Sequence, residues 1–222
     1  FKNTLIYRKI PHKYFISSCI NFLLSKPLFF IKKNKNVTLR IIGYLNKILK
    51  EDIKPNYNIE IPTNFINLAK KIMPNDKKYI GFSITAGHPT RIKEINISEI
   101  IKLANYYSKT YIPTFFIENK YMKLKEILKK EVKNIFFPEE IIEKSFQKPM
   151  IVTALGSLTE FNITIDNGIS HMLSFSNNKT YIFYNHSSKK FMPYNKNCKI
   201  FDCKLNDKKI DTLKFEDILK FI

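Results

Sequence analysis

Apolar residues at Val37, Leu39, Ile41, Ile42, Leu45, Ile48 and Leu49 recur at helical spacing. They predict a helix over residues 37–50 with a wide apolar face. From residue 78 the pattern becomes regular. Short apolar runs predict strands at 79–84, 111–117, 134–137, 163–165 and 180–184. Between and after them, helical periodicity predicts helices at 98–108, 121–132, 170–175 and 215–221, with a helical turn at 139–144. Residues 150–153 read as a short extended or helical piece. Pro113 places strain on the early part of its strand. Ser157, followed three residues later by Glu160, has the form of a capping box and predicts a short helix over 157–161. The beginning of the chain is less regular. Residues 1–11 read as an irregular or extended lead-in, and 14–24 as a helix ended by Pro27. Residues 51–62, with Pro55 and Pro62, read as a linker ending in a short extended piece.

Strands alternating with helices imply parallel pairing and right-handed crossovers. In such sheets ligands sit at the carboxyl ends of the strands. Two chemically suggestive stretches fall at such ends. One is the loop after Ile84, where Thr85, Ala86, Gly87, His88 and Thr90 precede Lys93. Its small residues allow close backbone approach to a ligand, and Lys93 offers a point positive charge. The other is Asp166-Asn167-Gly168-Ile169-Ser170-His171, at the turn between a short strand and a helix. A helix that starts there directs N–H groups and the positive end of its dipole at one spot, which suits a phosphate. Gly168 is expected to allow close approach or a positive φ. Asp166 has two readings: contact with a ligand, or a turn and capping residue. A Ser-His-Asp relay among Asp166, Ser170 and His171 does not fit residues so close on one turn.

The chain has 222 residues, with 38 Lys and Arg against 19 Asp and Glu, a net charge of +19. That excess points to an anionic partner: nucleic acid, an anionic membrane face or a phosphorylated sugar. The abundance of Ile, Lys, Asn and Phe also fits an AT-rich coding sequence, which makes part of the lysine content a compositional default. The lysines are spread along the chain, unlike a dedicated nucleic-acid arm. Cys19, Cys198 and Cys203 are too few for a disulfide framework and read as free thiols of a reducing compartment, with a Cys198–Cys203 pair as the other possibility. His12, His88, His171 and His186 lack metal-ligand spacing, and no zinc site is expected. Residues 14–31 are the only membrane candidate. Lys26-Pro27 interrupts them, and a buried or interfacial element is expected rather than a span. The chain begins with Phe1 and shows no signal peptide, so it is read as a fragment.

The turn motif resembles the Asp-[Ser/Thr]-Gly-x-x-His motif of glycosyltransferase family 9, the ADP-heptose:lipopolysaccharide heptosyltransferases. Residues 81–93 resemble that family's strand, small-residue loop and lysine, and Ser157-Leu158-Thr159-Glu160 its short Ser-Leu-x-Glu helix start. The resemblance spans roughly residues 36–193 and matches the second half of such an enzyme. It departs where the family commonly has Trp-Pro after the lysine, here Glu94-Ile95-Asn96, and at Asn167, where the family has Ser or Thr. It implies an α/β fold: a Rossmann-like parallel-sheet domain of a GT-B glycosyltransferase, with a helical remnant of the N-terminal domain. The implied division is 1–62, acceptor-side remnant and linker, and 63–222, the donor-binding domain.

The implied activity is inverting, metal-independent transfer of a sugar from a nucleotide-diphosphate donor, ADP-heptose or similar, to a lipopolysaccharide-type or other glycan acceptor. No cofactor is expected. Lys93 and His171 are the expected catalytic residues, stabilising the departing diphosphate. Thr85, Gly87, His88, Thr90, Glu118, Asp166, Asn167, Gly168 and Ser170 are the expected donor-binding set, with Glu118 on the ribose. The proton-accepting carboxylate belongs to the other half of such an enzyme, so the chain alone is expected to bind donor without turnover. The expected partners are the nucleotide sugar and an anionic glycolipid or glycan. The expected location is the cytoplasm, with peripheral contact at the inner membrane face. The alternatives are a non-catalytic nucleotide-sugar module and a basic nucleic-acid binder, although no nucleic acid is expected.

Overall fold

The computed structural model describes residues 2–31, 34–86, 94–143 and 148–222. The chain divides into two units: Phe1–Asn56 with Lys189–Met192, and Tyr57–Ser188 with Pro193–Ile222.

The first unit carries helices α1 (Lys2–Arg8) and α2 (Val37–Leu49). The Asn36 side chain accepts the Leu39 N–H at 3.3 Å and starts α2. Lys50, in the left-handed conformation at φ 58°, ends it. The apolar face of α2 buries Tyr44, which stacks on Phe22 at 5.0 Å and meets Phe29 edge-on at 5.7 Å. The helix expected over 14–24 does not form. Phe15 and Lys26 instead exchange two backbone hydrogen bonds of 2.8 Å as an antiparallel bridge. Ser25 Oγ accepts the Ser17 N–H at 3.0 Å, and Ser17 Oγ accepts the Cys19 N–H at 3.2 Å. Such local serine bonds offer the backbone an alternative to the helical ladder. Only a distorted 3-10 turn, Cys19–Phe22, lies in that stretch, and an α-helix forms instead at α1, within the segment read as an extended lead-in.

The second unit is built on five parallel strands: β1 (Tyr79–Ser83), β2 (Ile112–Phe115), β3 (Thr159–Ile165), β4 (Lys179–Tyr184) and β5 (Cys198–Asp202). Their order is β2-β1-β3-β4-β5, and every neighbouring pair is parallel. The central strands β1, β3 and β4 are buried over most of their length because both faces are covered, even where β3 alternates polar and apolar residues. One face buries Ile80, Phe82, Ile163 and Phe183 beneath α4 (Ile97–Tyr107), α5 (Met122–Glu131) and α8 (Phe215–Phe221). The other buries Tyr79 and Phe116 beneath α3 (Thr63–Ile72), α6 (Pro149–Gly156) and α7 (Gly168–Ser174). Helix α3 escaped the sequence reading, although Phe65, Leu68, Ala69 and Ile72 have the spacing of one helical face.

Other expectations shift with packing. β2 lies at the sheet edge, where Pro113 is tolerated. The strand expected at 134–137 is a single parallel bridge between Thr114 and Phe136. The short helix expected at 157–161 is replaced by the end of α6 and the start of β3. Ser157 closes α6, its Oγ donating to the Ala154 carbonyl at 2.7 Å. The Asn178 amide then donates to the Gly156 and Ser157 carbonyls at 3.1 Å, sealing the turn into β3. β5, Cys-Lys-Ile-Phe-Asp, went unread because only Ile200 and Phe201 mark it as a strand.

Candidate functional site

The strand order sets the location. From β1 the chain crosses to β2 on one side, and from β3 to β4 on the other. The carboxyl ends of β1 and β3 are therefore adjacent while their exits diverge, which opens a crevice at the topological switch point.

Asn167 joins the two exits. Its Nδ2 donates to Ser83 Oγ at 2.9 Å and to the Thr85 carbonyl at 3.1 Å. Its Oδ1 accepts the Ser170 N–H at 2.8 Å, capping α7. One side chain thus fixes the β1 loop against the first turn of α7. Ser170 is buried, and its hydroxyl donates to the Asn167 carbonyl at 2.7 Å. Asp166 follows β3, its N–H donating to the Phe183 carbonyl at 3.1 Å. Gly168 does not take the positive φ that the sequence reading allowed. A Cβ built on it meets nothing within 4 Å, so the space beside this turn is open. His171 follows on the same turn and is partly exposed.

On the β1 side, Thr85 is buried. The next residue is held twice: the Ala86 N–H donates to Glu94 Oε1 at 2.8 Å, and Tyr121 Oη donates to the Ala86 carbonyl at 2.9 Å. Glu94, which stands where the family pattern has another residue type, thereby clamps the stem of the loop. Gly87, His88, Thr90 and Lys93 lie outside the described residues. Ser83, Glu94 and Tyr121 were missed as positioning residues. Ser83 and Glu94 flank the loop in sequence, whereas nothing in the sequence marked Tyr121.

Glu118 follows β2 and is exposed, paired with Lys120 at 2.7 Å. It lines a cavity of about 450 Å³ with Asn119, Glu139, Lys148, Ile169 and Met172. Ile169 lies on the first turn of α7, so this cavity adjoins the crevice. Behind it Lys125 is fully buried, its Nζ donating to Asn119 Oδ1 at 2.9 Å and lying 3.9 Å from Glu140 Oε1. Glu139 Oε2 is shielded from solvent and has no hydrogen-bond partner among the described residues. Burial pushes its carboxyl up to about 7, against the pull of its own N–H, the Lys125 charge and the Ile117 N–H. Among the described residues no group of three or more His, Cys, Asp or Glu could hold a metal ion.

The arrangement presents polar backbone, a helix start and a partly apolar cavity side by side. No family model and no curated protein matches the sequence. Solved structures do resemble the fold. The glycosyl transferase family 9 from Veillonella parvula aligns with a TM-score of 0.69 at 15% identity, covering 86% of this chain and 59% of its own. E. coli heptosyltransferase WaaC with ADP aligns at 0.67 and 14%, covering 90% and 59%. E. coli ADP-heptose lps heptosyltransferase II aligns at 0.60 and 12%, covering 76% and 54%. The chain spans less than two thirds of the length of each of these structures. The likeness read in the motifs therefore extends to the architecture: this chain has the α/β, Rossmann-like fold seen in glycosyltransferase family 9 and heptosyltransferase structures.

Proposed function

We propose that this chain is the donor-binding portion of a GT-B glycosyltransferase and binds a nucleotide-diphosphate sugar at the β1–β3 switch point. The observation that carries this reading is the Asn167 side chain, which ties the β1 exit to the first turn of α7. Ser170's N–H is already taken by Asn167, so a diphosphate would use the Gly168 and Ile169 N–H groups. His171 and Lys93 supply its remaining hydrogen bonds and charge, while Thr85, Gly87, His88 and Thr90 shape the facing loop. Asp166 reaches sugar hydroxyls, Glu118 the ribose, and the 450 Å³ cavity takes the base.

In the transfer reaction an acceptor hydroxyl attacks the anomeric carbon with inversion, and the diphosphate leaves. Preorganised cationic and N–H groups are worth most where that negative charge develops, and here they assume the task a metal performs in other enzymes. A carboxylate outside this chain would take the acceptor's proton. Because the chain spans only 54–59% of the aligned structures, donor binding is proposed of the chain and transfer of the whole fold. The acceptor is an anionic glycan or glycolipid, which suits the net charge of +19 and a cytoplasmic protein resting on an anionic membrane face. No helix among the described residues is long and apolar enough to cross a membrane.

Calorimetric titration with ADP-, GDP- and UDP-sugars tests the reading. Saturable binding of at least one is expected. Loss of one charge-assisted hydrogen bond in His171→Ala should weaken it by about tenfold or more. A folded sample that binds none of the three overturns the proposal, and unchanged affinity in both His171→Ala and Lys93→Ala removes their assigned roles.

A further inference from the structure

The sheet has a second opening at its other end. Beside the amino ends of β1 and β2, away from the switch-point crevice, lies a cavity of about 940 Å³. Lysines reach it from three segments: Lys71 at the end of α3, Lys77 and Lys78 on the approach to β1, and Lys109 just after α4. All four are exposed, and among the described residues none of them forms an ion pair. One acid, Asp76, shares the rim.

Unpaired lysines are common on a chain of this composition, and helix ends give some of them a task. Helices α3, α4 and α5 finish at or beside this cavity, and each C-terminus carries about half a negative charge. With Asp76, those ends offset roughly two and a half of the four positive charges. The cavity therefore stays cationic.

The cavity wall adds an independent observation. Tyr79 lines it and is only 4% exposed. A buried phenol ordinarily finds a hydrogen-bond partner. The Tyr79 hydroxyl has none among the described residues, and unlike Tyr184 Oη it is not enclosed. Burial, and then the Asp76 charge, push it above the usual tyrosine range, so it stays protonated and can donate.

Ammonium groups and a phenol hydroxyl call for a partner rich in acceptors and negative charge, which phosphate supplies. One phosphate is far smaller than this cavity, and the lysines stand too far apart along the chain to converge on a single segment of it. We propose that the cavity binds a polyphosphorylated anion, with Lys71, Lys77, Lys78 and Lys109 around its phosphates and Tyr79 Oη donating to the innermost one. This site is separate from the donor crevice and does not rest on the donor-site reading.

Inorganic tripolyphosphate is the soluble probe, titrated by calorimetry into the folded chain. Saturable binding is expected. Lys71→Gln combined with Lys109→Gln should weaken it by about tenfold or more. Lys204→Gln with Lys220→Gln removes the same charge elsewhere on the surface and should change it by less than about twofold. Tyr79→Phe removes only the hydroxyl and should cost about fivefold. Vesicles containing phosphatidylinositol bisphosphate present the same chemistry on a lipid. Loss of vesicle binding in the Lys71/Lys109 variant, but not in the control, assigns the phosphates to a headgroup; a loss confined to tripolyphosphate assigns a soluble anion. Equal losses in the two double variants, wild-type binding by Tyr79→Phe, or no saturable binding of either probe overturns the site. Binding that survives in the Lys71/Lys109 variant and disappears in His171→Ala places the anion in the crevice, which refutes this site while supporting the donor reading.

Discussion

Asn167→Ala is the most direct test of how the two loops are held together. The substitution removes three hydrogen bonds at once. Loss of the cap on Ser170 should cost about 1 kcal/mol. Ser83 Oγ and the Thr85 carbonyl, both in buried residues, each lose a donor. At about 1 kcal/mol apiece these bring the expected loss to about 3 kcal/mol. That is a large fraction of the 5–15 kcal/mol available to a typical domain. Asn167→Ser separates the two contributions, because serine caps a helix nearly as well but cannot reach Ser83 and Thr85 together. It should lose about 2 kcal/mol, nearly all of it from the tie between the loops. Urea denaturation followed by circular dichroism measures both. With a slope of about 2 kcal/mol per molar urea, the midpoint should fall by about 1.5 M for alanine and about 1 M for serine. The same variants should bind nucleotide diphosphates more weakly. If alanine stays within about 0.5 kcal/mol of wild type, the side chain is not the clasp described here. If serine matches wild type, the bonds to Ser83 and Thr85 carry nothing.

Other consequences are equally specific. In Gly81→Ala the new Cβ would lie 2.1 Å from Asn162 Oδ1 in the middle of the sheet, so a loss of about 3 kcal/mol is expected. Asn162→Ala should relieve part of it, and strictly additive losses in the double variant would contradict the clash. Glu99 joins α4 to the start of α8, with Lys102 Nζ at 2.9 Å and the Phe215 N–H at 2.8 Å holding its carboxylate below the usual range. Because its folded pKa is depressed, its stabilisation is present above the unfolded value of about 4.3 and lost as pH falls through the folded one. Glu99→Gln should therefore flatten the acid limb of a stability–pH curve, and an unaltered limb would show that the contact contributes little. Among the thiols, the Thr4 hydroxyl at 3.3 Å lowers Cys19, whereas burial pushes Cys198 up to about 12 and Cys203 to about 11. Timed alkylation at neutral pH should label Cys19 first, and rapid labelling of Cys203 would show that its burial is transient.

Legibility along this chain follows how each element is stabilised. β1, α4, α5, α7, β4 and α8 were read because each buries a face or a whole run of apolar residues, and burial is what periodicity reports. The failures are places where another interaction decides. Ser157 and Glu160 have a helix-start signature, yet Glu160 lies within β3, whose pairing with β1 and β4 outweighs a local cap. The apolar residues of 14–24 suggested a helix, but Ser17 and Ser25 bonded to the backbone and Phe15 paired with Lys26. A sequence pattern cannot rank these contests, because the winning partner comes from distant residues or from side chains with several choices.

At the site the same distinction separates location from detail. Strand–loop–helix punctuation was enough to put Thr85 and the Asp166–His171 segment at strand carboxyl ends, since parallel crossovers leave few other arrangements. It could not reveal that Asn167, nominally a substitute for Ser or Thr, would span from α7 to β1. That role needs separate donor and acceptor atoms on one carboxamide, and a serine, with a single shorter hydroxyl, could cap the helix but not bridge the loops. Glu94 is a second instance, since its departure from the family pattern becomes the clamp on Ala86. The two departures thus make hydrogen bonds at the stems of the two facing loops. Replacing either residue alone by the one in the motif it resembles should therefore loosen the segment it holds.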